Sequence, residues 1–197
     1  MNSTILSVDL AKDVFEVAQT DQRGKLIKRH RLQRNKFREL LCLSEPGIVL
    51  IEACGSAHYW GRIAQTYGHK VRMLPAQYVA PYRRRGKSDR IDTDALLEAH
   101  RCDGITEVPL RTVDQQQIQQ LHRIREQWKK TRLQRINGLR GCLRELGFAI
   151  PLGVSSVHRH VVEILEDDGI PPALKSAFAG LLDEISRLED SMKQCER

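Results

Sequence analysis

Ile48-Val49-Leu50-Ile51-Glu52 is an apolar run closed by a carboxylate, and this pentapeptide decides how the rest of the chain is read. A run that is apolar without alternation is buried on both faces, the habit of a central strand in a sheet covered on each side. Pro46-Gly47 isolates it from Lys36 to Leu43, where Phe37, Leu40 and Leu41 fall at helical spacing. Further upstream, Thr4 to Val8 (TILSV) reads as a buried strand and Val14 to Ala18 (VFEVA) alternates as a second. Asp21-Gln22-Arg23-Gly24 is then a turn into a third, more exposed strand, Lys25 to Leu32. Downstream, Tyr59 to Tyr67 predicts a helix stopped by Gly68, and Lys70 to Leu74 another strand. Ile91 to His100 predicts a helix with Ala95, Leu96 and Ala99 on one side. Three early strands followed by alternating helices and strands predict an α/β fold, a mixed sheet flanked by helices.

After Pro109 the texture changes. Val113 to Leu146 contains no proline, and Ile118, Leu121, Ile124, Trp128, Ile136, Leu139, Leu143 and Leu146 recur at threes and fours, the signature of one long helix. Between Leu121 and Leu146 it carries Arg123, Arg125, Lys129, Lys130, Arg132, Arg135, Arg140 and Arg144 against Glu126 and Glu145 alone. Gly147 and Pro151 end it. Beyond Pro171-Pro172, the positions Leu174, Phe178, Leu181, Ile185, Leu188, Met192 and Cys195 step by four and three, a coiled-coil seam still running at Arg197. From Glu163 onward nine acidic residues face four basic ones, whereas the chain as a whole is +7. The expected organisation is a domain over 1–110, a basic helix over 111–150 and an acidic helical arm over 151–197 leading into a further domain.

With 197 residues, 41% hydrophobic and 29% charged, the composition is that of a folded globular protein and excludes the disordered and collagen-like classes. No stretch approaches the roughly 18 uncharged apolar residues of a membrane span, and no cleavable leader is readable, so a cytoplasmic protein without a membrane partner is expected. Cys42, Cys54, Cys102, Cys142 and Cys195 are odd in number, scattered and never Cys-x-x-Cys, which offers no disulfide or zinc framework.

Chemistry is carried by carboxylates. Asp9 interrupts ILSVDLAKD where an apolar strand should simply turn, and Glu52 repeats the pattern in IVLIEACGS. Buried without a cation or hydrogen bonds, either would be strongly unfavourable. If their strands are neighbours the two converge. Asp89 and Asp92 open a helix three residues apart and share a face. Carboxylates on separate elements are the donor set of a hard divalent cation, and two such ions about 4 Å apart are the apparatus for in-line attack on a phosphodiester. Each position taken alone reads more readily as a turn residue, or as an acid at the positive end of a helix dipole, than as a metal ligand. The run Arg83-Arg84-Arg85-Gly86-Lys87 directly before the acidic cluster favours the combined reading, because cations beside a carboxylate site fit a phosphate backbone led past it.

The ordered set SVDLAKD, IEACGSAHYW and PAQYVAPYRRRGKSDRIDTDALLEA, followed by a long basic helix, resembles the N-terminal domain of the insertion-sequence 110 type of transposases, the DEDD transposases. The resemblance is close over residues 4 to 146. It implies an RNase H-like, RuvC-type fold in which Asp9, Glu52, Asp89 and Asp92 are catalytic and bind magnesium, two ions, with manganese as a substitute. Lys12 matches the lysine that usually follows the first aspartate by three. The position after the last aspartate is commonly Ala in the family and is Thr93 here, with Asp94 as a rival to Asp92. Family members continue into a second domain bearing a nucleophilic serine. Ser155 and Ser156 before His158 and His160 have no third orienting group and are not read as its equivalent.

The expected function is DNA transposition, with this chain as the metal-binding half acting on phosphodiesters. Lys12, Arg83, Arg84, Arg85, Lys87, Arg90, Arg123, Lys129, Lys130, Arg132, Arg135 and Arg140 are the expected nucleic-acid contacts. The partners implied are DNA, a guide-like noncoding RNA, and a second copy of the chain joined through the coiled-coil arm. Two alternatives stand beside this: a truncated remnant that binds nucleic acid and dimerises without catalysis, and a free-standing RuvC-like junction nuclease.

Overall fold

A computed structural model describes residues 4–21, 23–83, 89–151, 153 and 156–196, with Asp89 described in its backbone alone. Two compact units divide at Thr112/Val113. No described helix is long and apolar enough to cross a membrane.

The first unit is built on β1 (Ile5–Asp9), β2 (Val14–Thr20), β3 (Leu26–Gln33), β4 (Ile48–Glu52) and β5 (Lys70–Leu74). They form one sheet in the order β3-β2-β1-β4-β5. β1, β2 and β3 make an antiparallel meander, and β1, β4 and β5 run parallel. The unalternating runs sit where expected: β1 and β4 are adjacent and central, with Leu6, Val8, Val49, Leu50 and Ile51 all buried. Residues of opposite parity serve opposite faces. Leu6, Val8, Val49 and Ile51 pack with Phe37 and Leu41 of α1 (Arg34–Leu43) and Trp60 and Ala64 of α2 (Ala57–Thr66). Phe15, Phe37 and Trp60 meet edge-on there, with centroids 5.1 to 5.4 Å apart.

The other face is covered by α4 (Asp89–His100). Leu97 packs on Ile5, Ala18 and Leu50, and Ala95, Leu96 and Ala99 pack with Leu74 and Val79. Between β5 and Arg83 lie two short pieces that periodicity did not resolve, α3 (Ala76–Val79) and a 3-10 turn over Ala80–Tyr82. Their few residues are too short a window for a helical period to register.

The start of β4 is fixed from three sides. Gly47 N–H donates to His69 Nδ1 (3.1 Å), His69 Nε2–H donates to the Leu41 carbonyl (2.8 Å), and Ile48 N–H donates to the Thr4 carbonyl (2.9 Å). A Cβ at Gly47 would lie 2.3 Å from the Thr4 carbonyl oxygen, which explains glycine at this point.

The second unit contains α5 (Val113–Glu145), α6 (Val157–Leu165) and α7 (Pro172–Gln194). Ile136, Leu139 and Leu143 of α5 bury against Val157 and Val161 of α6 and Phe178, Leu182 and Ile185 of α7. The expected seam is rotated slightly: Leu182 is buried, whereas Leu174 is exposed. α5 and α7 run antiparallel, as their ion pairs show, Arg125 with Glu196, Arg132 with Glu189 and Arg135 with Glu184. Ile118, Leu121 and Ile124, on the first half of α5, remain exposed. The cysteines are all free.

Candidate active site

β1 and β4 are neighbours, so the condition for their terminal carboxylates to converge is met. The parallel register Ser7↔Leu50, Val8↔Ile51 runs to the penultimate residue of each strand, and Asp9 and Glu52 are the next residues, at the carboxyl ends. This is the edge at which open α/β sheets hold ligands. Parity decides which face the two acids take. Asp9 shares phase with Ile5 and Ser7, and Glu52 with Leu50, all on the α4 side.

Ser7 is the residue that periodicity passed over. It is fully buried, and its hydroxyl donates to the Thr93 carbonyl at 2.7 Å, joining β1 to α4. A hydroxyl inside Ile5-Leu6-Ser7-Val8 was the available signal, since a buried polar group needs a partner.

α4 then presents Asp92, one turn before Ala95 and Leu96 on its packed stripe. Asp92 and Glu52 meet through one side chain. Arg83 places Nη2 2.6 Å from Glu52 Oε2 and Nε 2.6 Å from Asp92 Oδ1. Partial burial alone would lower the Arg83 pKa, but the charges of Glu52 and Asp92 and the hydrogen bonds to both outweigh it and raise the guanidinium above its ordinary value. Asp94 belongs elsewhere. Its Oδ1 lies 2.6 Å from Nη2 of Arg29 on β3, and Arg29 also donates from Nη1 to the Thr93 hydroxyl at 3.1 Å. Residues two apart on a helix do not face each other, which is how adjacent acids are sorted to different partners.

The remaining candidates fall into three groups. Arg84, Arg85 and Lys87, and the side chain of Asp89, lie outside the described residues. Lys12, Arg90, Arg123, Lys129 and Lys130 are exposed. Arg132 and Arg135 are paired with Glu189 and Glu184, and Arg140 Nη2 donates to the carbonyls of Pro151 (2.8 Å) and Gly153 (2.7 Å). Arg125, Arg132 and Arg135 of α5 are thus matched to acids of α7 and its C-terminal end, whereas Arg123, Lys129 and Lys130 stay on the exposed face. Ser155 is outside the described residues; Ser156 donates its hydroxyl to backbone carbonyls, and His160 contacts the Ser156 carbonyl.

Among the described residues no three His, Cys, Asp or Glu groups gather closely enough to hold a metal ion. The donors that do approach each other, Glu52 and Asp92, are hard carboxylate oxygens already drawn to one cation, a chemistry that suits a divalent metal.

The chain is 32% identical over 200 residues to a probable family 20 transposase of Pseudomonas aeruginosa, a match covering 100% of this chain and 59% of the relative. It is 32% identical over 194 residues to the transposase for insertion sequence element IS1111A of Coxiella burnetii, covering 98% of this chain and 53% of the relative. With the transposase for insertion sequence element IS1328 of Yersinia enterocolitica the identity is 30% over 196 residues, covering 100% and 58%. The chain thus spans about half the length of the curated relatives it matches. Residues 6–148, from the first strand through the end of the long helix, match the family described as transposase, DEDD type, IS110, and the chain belongs to that family.

Proposed function

We propose that this chain is the carboxylate half of a DNA transposase, with a RuvC-type sheet that brings Asp9, Glu52, Asp89 and Asp92 to bear on a phosphodiester. The observation that carries the reading is the meeting of Glu52 and Asp92, from separate elements, on a single guanidinium beside the end of β1. A structural salt bridge needs one carboxylate; two acids collected from a strand end and a helix start on one guanidinium, with Asp9 at the end of the neighbouring strand, support a site that magnesium would complete by drawing the acids together. Bound there, magnesium would supply charge stabilisation for the phosphate oxygens and a more acidic water. In this reading Asp9 would serve two ions, Glu52 and Asp92 one each, and Asp89 would complete a site or orient a water.

Lys12, Arg90 and the exposed cations of α5, Arg123, Lys129 and Lys130, would hold the nucleic-acid backbone in this reading. DNA is the substrate proposed, with a guide-like RNA as a second nucleic-acid partner. The antiparallel α5/α7 pair would act as a coiled-coil arm, through which copies of the chain associate.

The test is a magnesium titration by calorimetry on the purified chain, wild type against Asp9→Ala and Glu52→Ala, with a branched DNA substrate followed on a gel. Magnesium binding that both substitutions abolish is the expected result. Cleavage alongside it would make the chain a self-sufficient nuclease, and binding without cleavage would make it a competent metal half. Wild-type affinity retained by both variants would sink the assignment.

A further inference from the structure

The Glu52 and Asp92 carboxylates have a resident cation. Arg83 is 39% exposed in its side chain, against 22% for Glu52 and 32% for Asp92, so it reaches the pair from the solvent side. Its backbone is set by the 3-10 turn before it, with the Arg83 N–H donating to the Ala80 carbonyl at 3.1 Å. The guanidinium uses Nη2 on one acid and Nε on the other, and these are its ion pairs among the described residues. Two acids brought together from β4 and α4 repel each other when bare, and a cation between them removes that repulsion. A divalent ion performs the same service with more charge and shorter contacts. Glu52 Oε2 and Asp92 Oδ1 cannot accept from the guanidinium and face a metal along the same directions, so the two cations compete for one place.

We propose that Arg83 is a displaceable counter-ion: a divalent cation that enters between Glu52 and Asp92 evicts the guanidinium, which is then free to take a phosphate of the nucleic acid. The proposal rests on the carboxylate reading above and adds a coupling to it. Metal and phosphate each favour the state in which Arg83 has left the acids, so each strengthens the binding of the other. Arg83 is in this sense a positioning residue, keeping the acids in register until the metal arrives.

Three measurements on the whole chain test this. In the first, magnesium alone is titrated into wild type, Arg83→Gln and Glu52→Gln by calorimetry. Two part-exposed ion pairs correspond to a gain of about ten-fold in magnesium affinity for Arg83→Gln. In the second, thermal melts are recorded with and without magnesium. Arg83→Gln should melt lower than wild type without the ion and recover with it, a recovery that loss of a merely structural contact would not show. In the third, magnesium should raise the affinity for a short DNA duplex, read by anisotropy, more in wild type than in Arg83→Gln. Equal or weaker magnesium binding by Arg83→Gln, with Glu52→Gln still abolishing it, overturns this proposal and leaves the metal site standing. Absence of magnesium binding in both wild type and Arg83→Gln overturns both.

Discussion

Ser7 shows how one hydroxyl sets the distance between a strand and the helix that completes the site. Its bond to the Thr93 carbonyl is buried, and Thr93 lies next to Asp92. Ser7→Ala is expected to lower stability by about 1 kcal/mol, the usual net value of such a bond, read as a shift in the urea midpoint. Glu52 was legible from its place after four apolar residues, because a charge there requires a reason. The choice between Asp92 and Asp94 was not. Both are acids in the first turns of one helix, and sorting them needs the rotation of α4 about its axis, which only packing on the sheet defines. Nor could the role of Arg83 be read from RRRGK. A basic run announces anions nearby, and whether these are phosphates or the chain's own carboxylates depends on a three-dimensional approach.

At the scale of elements, the strands and longer helices followed from periodicity because each buries one definable face. β5 begins and ends at the expected residues, and the long helix of the second unit is one residue shorter than its apolar pattern. The pairing of α5 with α7 was hidden, since an apolar seam says that a partner exists and not which one. Their cross-helix ion pairs divide the cations of α5 into two classes with different expected behaviour. Lys130 is exposed and, among the described residues, makes no ion pair, whereas Arg135 has Nε 2.9 Å from Glu184. Lys130→Gln is expected to reduce the slope of log affinity for DNA against log salt by about one. Arg135→Gln should leave that slope unchanged and shift stability by less than about 1 kcal/mol, the range of exposed pairs. Anisotropy titrations at several salt concentrations separate the two, and a slope lowered equally by both would show that Arg135 exchanges its partner for phosphate.

At the scale of the molecule, each unit holds its own core, and the first carries a predictable response to acid. His30, His58 and His100 all sit below the ordinary histidine range. Burial is the main cause in each, with Lys28 adding to it at His30, Arg111 and Arg62 at His58, and Arg72 at His100, where Glu107 opposes. As pH falls below about 6.5 the unfolded chain takes up these protons before the folded one does. With more protons bound in the unfolded state, stability rises with pH and falls on acidification. The urea midpoint should therefore be lower at pH 5 than at pH 7, and a midpoint that rises at pH 5 would contradict the assignment.

The clamp that Gly47, His69 and Thr4 place on the first residue of β4 governs which length changes the gene can accept. Strand side chains alternate, so a slip of one residue in β4 would carry Glu52 to the apolar Trp60 side of the sheet, where a charge without a partner is strongly unfavourable. A single-codon deletion within Val49–Ile51 would thus cost stability as well as the position of the acid, and should be tolerated less well than an extra residue in the turn before β3. The carboxylate edge is inherited in phase, like a reading frame written in three dimensions.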